Sequence, residues 1–205
     1  MKNILLCLGF CALFIASCKN NTEEKKECCK KPESTAPATF NSDITLHDIG
    51  SVWTTQDNKT MLLKDIQSTV IVAAMIFTNC QGACPRITAD LQRIEKAIPA
   101  DKLNKVTFLL ISMDPERDTP EQLTVFANEH QLDMKRWILL TGSESDVLEI
   151  SNVLNVRTKK NEDGNFDHSN IIHIINSKGN IIHQQVGLAV EPTESIEKIN
   201  ELLSE

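Results

Sequence analysis

The sequence predicts an α/β domain with a parallel sheet at its core, and three observations carry that prediction. Two continuous apolar runs, VIVAAMIF at residues 70–77 and VTFLLIS at residues 106–112, have the length and β-branched content of buried strands. Segments with helical spacing alternate with these runs. Late in the chain, two further apolar segments flank Asn176-Ser177-Lys178-Gly179, which has the chemistry of a hairpin turn. Strands alternating with helices bury both faces of a parallel sheet, whereas a hairpin adds an antiparallel edge.

Taken in order, the folded part begins near Asn41, and residues 44–63 supply an extra N-terminal strand or hairpin. The strand at 70–77 runs into a polar turn. Ile87, Leu91, Ile94 and Ile98 then recur at spacings of four, three and four, the apolar face of a helix that Pro99 stops. After the strand at 106–112, Thr119 as N-cap and Pro120 in the first turn open a second helix, with Leu123, Phe126 and Ala127 facing inward. Residues 137–140 form a short strand. Residues 143–154 form a helix with Val147, Ile150 and Leu154 on one face. Strands at 171–175 and 180–186 make the hairpin, and Ile196, Ile199 and Leu203 mark a closing helix.

With 205 residues, 41% hydrophobic and 24% charged, the chain holds one globular domain of ordinary size plus extensions. Its net charge of -7 argues against nucleic acid as a partner, because phosphate binding needs concentrated Lys and Arg. At the N-terminus, Lys2 precedes an apolar run over residues 4–16 that ends in Ile15-Ala16-Ser17-Cys18. A transmembrane helix needs about 20 apolar residues, so the run is too short to span comfortably and suits a signal peptide. It resembles a bacterial lipoprotein signal, in which the cysteine is acylated and becomes the new N-terminus. The expectation is a signal peptide over 1–18 with lipid on Cys18, a flexible linker over 19–40 and the folded domain over 41–205. The product is an exported, membrane-anchored lipoprotein facing the periplasm or exterior. The linker sequence KNNTEEKKECCKKPESTAPAT has no apolar periodicity and, as a flexible coil, spans roughly 25 Å.

The cysteines sort by position. Cys7 and Cys11 leave with the signal and Cys18 goes to lipid, leaving the adjacent Cys28 and Cys29 and the pair Cys80 and Cys84. Cys28 and Cys29 read either as exposed linker thiols or as an auxiliary metal-catching pair. A disulfide within either pair would close so small a loop that it removes little chain entropy. Cys80 and Cys84 therefore read as reactive or metal-binding rather than as a brace. Their segment is Asn79-Cys80-Gln81-Gly82-Ala83-Cys84-Pro85, where the first buried strand meets its helix. Exposed amides and partial positive charge at a helix N-terminus stabilise a thiolate. If residues 80–84 are helical, both sulfurs share one face; if Gly82 breaks the turn, the loop presents both to one ion. Two such thiolates suit a soft metal, Cu(I) or Zn, and are also able to close a disulfide as a redox-active pair. The element order with a cysteine pair at this junction matches a thioredoxin-like fold with an N-terminal β extension.

A third ligand would come from the histidines. His47, His130, His173 and His183 read as surface or packed residues. His168 lies in a polar loop, Asn165-Phe166-Asp167-His168-Ser169-Asn170, just before the strand at 171–175, and in a thioredoxin-like topology that loop faces the cysteine turn.

Four motifs in order carry a resemblance to a known family. They are residues 70–85 ending in Cys-x-x-x-Cys-Pro, Ser112-Met113-Asp114-Pro115-Glu116-Arg117-Asp118-Thr119-Pro120, Arg136-Trp137-Ile138-Leu139-Leu140-Thr141-Gly142, and Phe166-Asp167-His168-Ser169-Asn170. Together they resemble the Sco/SenC family, thioredoxin-fold copper proteins of mitochondria and bacteria, from about residue 44 to 203. The resemblance implies one Cu(I) or Cu(II) held by Cys80, Cys84 and His168. It implies a metallochaperone role in maturing the copper site of cytochrome c oxidase, with that copper-site subunit or another copper-receiving protein as partner. The family acts by delivering copper, by reducing the recipient's cysteines, or both, and some members are linked to redox defence. The spacer Gln81-Gly82-Ala83 lacks the apolar, acidic or aromatic residues often found there, and the Cys28-Cys29 pair is outside the family pattern.

The stretch from Asp114 to Pro120 sits at the same carboxyl edge of the sheet as Cys80, where ligands gather in open α/β sheets. It reads either as support or a docking surface for a metal site, or as turn chemistry with a helix cap built from Asp118, Thr119 and Pro120. Two enzyme readings compete with the chaperone. A thiol-disulfide oxidoreductase would use Cys80 as attacking thiolate and Cys84 as resolving thiol. Thioredoxins usually place a cis-proline near the His168 loop, however, and no proline lies between Pro120 and Pro192. A peroxiredoxin-like peroxidase would draw on Thr78 and Arg86.

Overall fold

A computed structural model of the protein describes residues 44–205. The signal segment, Cys18 and the linker with Cys28 and Cys29 lie outside the described residues.

The N-terminal extension is a hairpin of β1 (Val52–Thr55) and β2 (Thr60–Leu62), with Asn58 at positive φ in its turn. The apolar run becomes β3 (Val70–Ile76), buried at every residue, and leads to helix α1 (Ala83–Ala97). Ile87, Leu91 and Ile94 are fully buried. The helix stops at Ile98, which turns extended because the ring of Pro99 disfavours the helical region for the residue before it. Then come β4 (Val106–Ser112), α2 (Pro120–Glu129), β5 (Trp137–Thr141) and α3 (Glu144–Val153). Two short strands, β6 (Thr158–Lys160) and β7 (Phe166–His168), precede the hairpin of β8 (Ile171–Asn176) and β9 (Ile181–Val186), and α4 (Thr193–Leu202) closes the chain.

The described residues form a seven-stranded sheet in the order β2-β1-β5-β4-β3-β8-β9. The pairs β3–β4 and β4–β5 are parallel, and β8 joins β3 antiparallel. Side chains alternate between the faces of a strand, so the contacts assign the helices. On one face Trp137 donates its indole N–H to Glu95 of α1 at 3.0 Å, and Ser195 of α4 donates to Gln185 at 2.8 Å. Gln92 of α1 donates to the carbonyl of His130 at the end of α2. On the other face the carbonyl of Leu154, which caps α3, accepts His173 Nε2 at 2.8 Å and Gln184 at 3.3 Å. Helices thus cover both faces of a parallel core in the expected thioredoxin-like fold with its β extension.

One expectation is corrected. The polar loop assigned to His168 is a separate two-stranded sheet, β6 against β7, with Thr158 opposite His168 and Gly164 at positive φ in the turn. Both strands are three residues long and largely polar, so no apolar periodicity announces them.

Candidate metal centre

The cysteine turn is built from backbone. Gly82 is the N-cap of α1, with φ −123° and ψ −81°, so the helix starts between the two cysteines and leaves Cys80 on the preceding turn. Of the two arrangements open to the motif, the structure takes the one in which Gly82 breaks the helix. The Cys80 N–H donates to the carbonyl of Phe77 at 3.2 Å. The Cys84 N–H donates to Cys80 Sγ at 3.3 Å, and the Phe77 N–H donates to Cys84 Sγ at 3.4 Å. Both cysteines are free thiols.

Their environments differ. Cys84 is fully buried and Cys80 is half-buried. Burial pushes the Cys80 thiol up, but the amides of Cys84, Gly82 and Ala83 and the Cys84 side chain outweigh it, and the net pKa lies below the ordinary thiol value. Burial pushes Cys84 strongly up, and the neighbouring charges of Cys80 and Asp118 add to this despite the Phe77 N–H bond. The two sulfurs thus differ in both exposure and acidity, with Cys80 the more accessible and the more acidic.

Strand β7 brings His168 to the same place. Its Nε2 lies 4.0 Å from Cys84 Sγ, and its Nδ1 lies 3.2 Å from the Ser169 carbonyl. A carbonyl only accepts, so Nδ1 carries the proton and the Nε2 lone pair faces the sulfur. Burial lowers the His168 pKa against the opposing effects of the Ser169 carbonyl and Asp167, which favours the neutral ring. Phe77 backs the imidazole edge-on, at 6.1 Å between centroids and 82° between planes. Cys80, Gly82, Phe166, Asp167 and His168 line one open cleft of about 480 Å³, and no other histidine reaches it.

These donors fit a thiophilic metal. Bonds of about 2.3 Å to sulfur and about 2.0 Å to imidazole nitrogen, at trigonal angles, place the two donors a little under 4 Å apart, close to the Cys84–His168 separation. Among the described residues no three His, Cys, Asp or Glu side chains are already closed around a point. The turn of Cys80 lies outside the helix, with open space beside Gly82.

The stretch 114–120 divides its work. Thr119 caps α2, accepting from the Gln122 N–H, and Pro120 takes the first helical position. Asp118 is not part of the cap. It is fully buried and accepts the Thr78 hydroxyl and the Ser112 hydroxyl, each at 2.6 Å, together with the Thr78 N–H. Burial pushes its carboxyl up against these bonds. The Thr78 hydroxyl is thus committed to Asp118 rather than to Cys80, as the peroxidase reading would require. No sequence signal pairs Asp118 with Thr78, forty residues away.

A thioredoxin-like fold with a paired-cysteine site and a facing neutral histidine defines a class of thiol and metal proteins. The SCO1/SenC family model matches residues 47–204, and the chain belongs to that family. It is 29% identical over 144 residues to the SCO1 protein homolog of Bacillus subtilis, covering 69% of this chain and 74% of that one. It is 27% identical over 109 residues to a putative copper-binding protein of Stutzerimonas stutzeri, covering 51% of this chain and 52% of that one. A SCO1/SenC family lipoprotein from Bacillus anthracis superposes with a TM-score of 0.68 at 33% identity, over 75% of this chain and 92% of that chain. BsSco, a member of the Sco family of cytochrome c oxidase assembly proteins in which a disulfide switch was identified, superposes at 0.67 with 26% identity, over 82% and 99%.

Proposed function

We propose that this protein is a copper-binding metallochaperone that assists copper-site assembly of cytochrome c oxidase, with Cys80, Cys84 and His168 as ligands. The observation that carries the reading is the Nε2 lone pair of His168 facing Cys84 Sγ across the cleft that Cys80 lines. The Stutzerimonas relative's description as a copper-binding protein and the Sco family's place in oxidase assembly support it. Two thiolates hold Cu(I), and the imidazole adds the donor that Cu(II) prefers. The recipient is the oxidase's copper-site subunit or another copper-receiving protein. The domain over 41–205 is tethered outside the cytoplasm by lipid on Cys18, which becomes the N-terminus once the residues before it are removed, with 19–40 as linker. The lipoprotein relative from Bacillus anthracis supports this placement. Among the described residues no helix is long and apolar enough to cross a membrane.

A second reading rests on the inequality of the two thiols. In a thiol-disulfide oxidoreductase the Cys80 thiolate attacks a partner disulfide and releases one partner thiolate. Cys84 then displaces the second, leaving a Cys80–Cys84 disulfide and a reduced partner. The test is copper stoichiometry and absorption of the purified protein beside Cys80→Ala, Cys84→Ala and His168→Ala. One copper per chain, with sulfur-to-Cu(II) bands lost in each cysteine variant and Cu(II) weakened more than Cu(I) by His168→Ala, is the expected result. No stable copper together with brisk disulfide reduction would replace the chaperone reading by the oxidoreductase.

A further inference from the structure

The histidine and the cysteines reach the cleft from different pieces of the chain. His168 ends a hairpin that is not hydrogen-bonded into the main sheet. At its base the Ser169 N–H donates to the Arg157 carbonyl at 3.0 Å. Phe77 packs against the rings of Phe166 and His168, and two side chains from the loop after β4 reach its far end. Arg117 donates through Nη2 to the carbonyl of Gly164, in the hairpin turn, and Glu116 pairs with Lys160 of β6. Arg117 is itself fixed, because its Nε donates to Asp114, whose carboxylate is buried. In the same loop Asp118 holds Thr78, two residues before Cys80.

One short loop therefore grips both halves of the site. We propose that Arg117 is a positioning residue: it clamps the β6–β7 hairpin onto the loop that anchors the cysteine turn, and so sets the approach of His168 to Cys84. Glu116 and Lys160 are the weaker half of the clamp, since both are exposed and an exposed ion pair contributes little. Arg117 is the stronger half, because its fork is oriented by a buried carboxylate and lands on a backbone carbonyl that no substitution in the hairpin removes. The proposal rests on the assignment of His168 as a ligand for its copper arm alone.

The experiment compares wild type, Arg117→Gln, Arg117→Lys, His168→Ala and the Arg117→Gln/His168→Ala double variant. In the metal-free protein, amide hydrogen exchange is followed at Asn161 and Gly164, which are bonded within the hairpin, with Ile174 of β8 as a control for the core. Arg117→Gln is expected to speed exchange at Asn161 and Gly164 about tenfold and leave Ile174 unchanged, with Arg117→Lys intermediate. Cu(II) affinity is expected to fall about tenfold in Arg117→Gln with Cu(I) nearly unchanged, and to fall no further when that change is added to His168→Ala. Wild-type exchange in the hairpin overturns the clamp. Equal acceleration at Ile174 overturns it too, marking Arg117 as a general stability residue. An undiminished Cu(II) loss in the His168→Ala background overturns the link to the ligand. If His168→Ala itself leaves Cu(II) untouched, the copper reading fails, while the exchange result still decides the clamp.

Discussion

Asp118 accepts both the amide and the hydroxyl of Thr78, the hydroxyl at 2.6 Å, and so ties the start of α2 to the turn that carries Cys80. Three donors converge on this fully buried carboxylate, the third being the Ser112 hydroxyl. Removing it leaves those donors without their partner beside the buried Ser112. Asp118→Ala is expected to cost about 3 kcal/mol of stability, read by urea denaturation. It should also make Cys80 more accessible to alkylating reagents, since its turn loses an anchor. Unchanged stability would show that the network is not held by the carboxylate.

The two thiols are expected to react in sequence. Cys80 is half-buried with a lowered pKa, whereas Cys84 is fully buried with a raised one. In the reduced, metal-free protein, brief iodoacetamide treatment at neutral pH should modify Cys80 and spare Cys84, as read by peptide mass spectrometry. The fast phase should vanish in Cys80→Ala. Equal labelling of the two sulfurs would contradict the asymmetry.

His173 provides an acid-sensitive point in the core. Burial lowers its pKa from 6.5 to about 4, and its Nε2–H donates to the Leu154 carbonyl. The unfolded chain takes up the proton first as pH falls. The stability held by neutral His173 is therefore complete above pH 6.5 and is lost as pH drops toward 4. The loss across that window is on the order of 3 kcal/mol. Urea denaturation at several pH values should show a shallower acid slope for His173→Gln than for wild type. Identical slopes would place the sensitivity elsewhere.

The elements legible in the sequence were those with long apolar signals. The run at 70–77 and the Ile87, Leu91, Ile94 series fold as their spacing implies, because burial of many side chains decides their conformation. The β6–β7 hairpin has no such signal. Its one local cue is Asp163-Gly164, a turn dipeptide between Thr158-Lys159-Lys160 and Phe166-Asp167-His168. Cys80 and Cys84 were legible because they are neighbours in the chain. His168 was singled out by its place before β8 together with the Phe166-Asp167-His168-Ser169-Asn170 motif of the resemblance, but the bond that fixes its tautomer was not legible, since that depends on the loop's path. Asp118 reads locally as part of a cap, and only the folded sheet shows it turned toward Thr78.

The pairing of β6 and β7 with each other alone gives the molecule a modular construction. The imidazole arrives on this separate hairpin, while the sulfurs belong to the junction of a central strand and its helix. Exchange of this hairpin between homologous proteins would change the histidine and the rim of the cleft without re-registering the seven-stranded sheet. In engineering terms the hairpin is a replaceable cartridge, and its fittings are the backbone bond at Arg157, the ring contacts to Phe77 and the grip of Arg117.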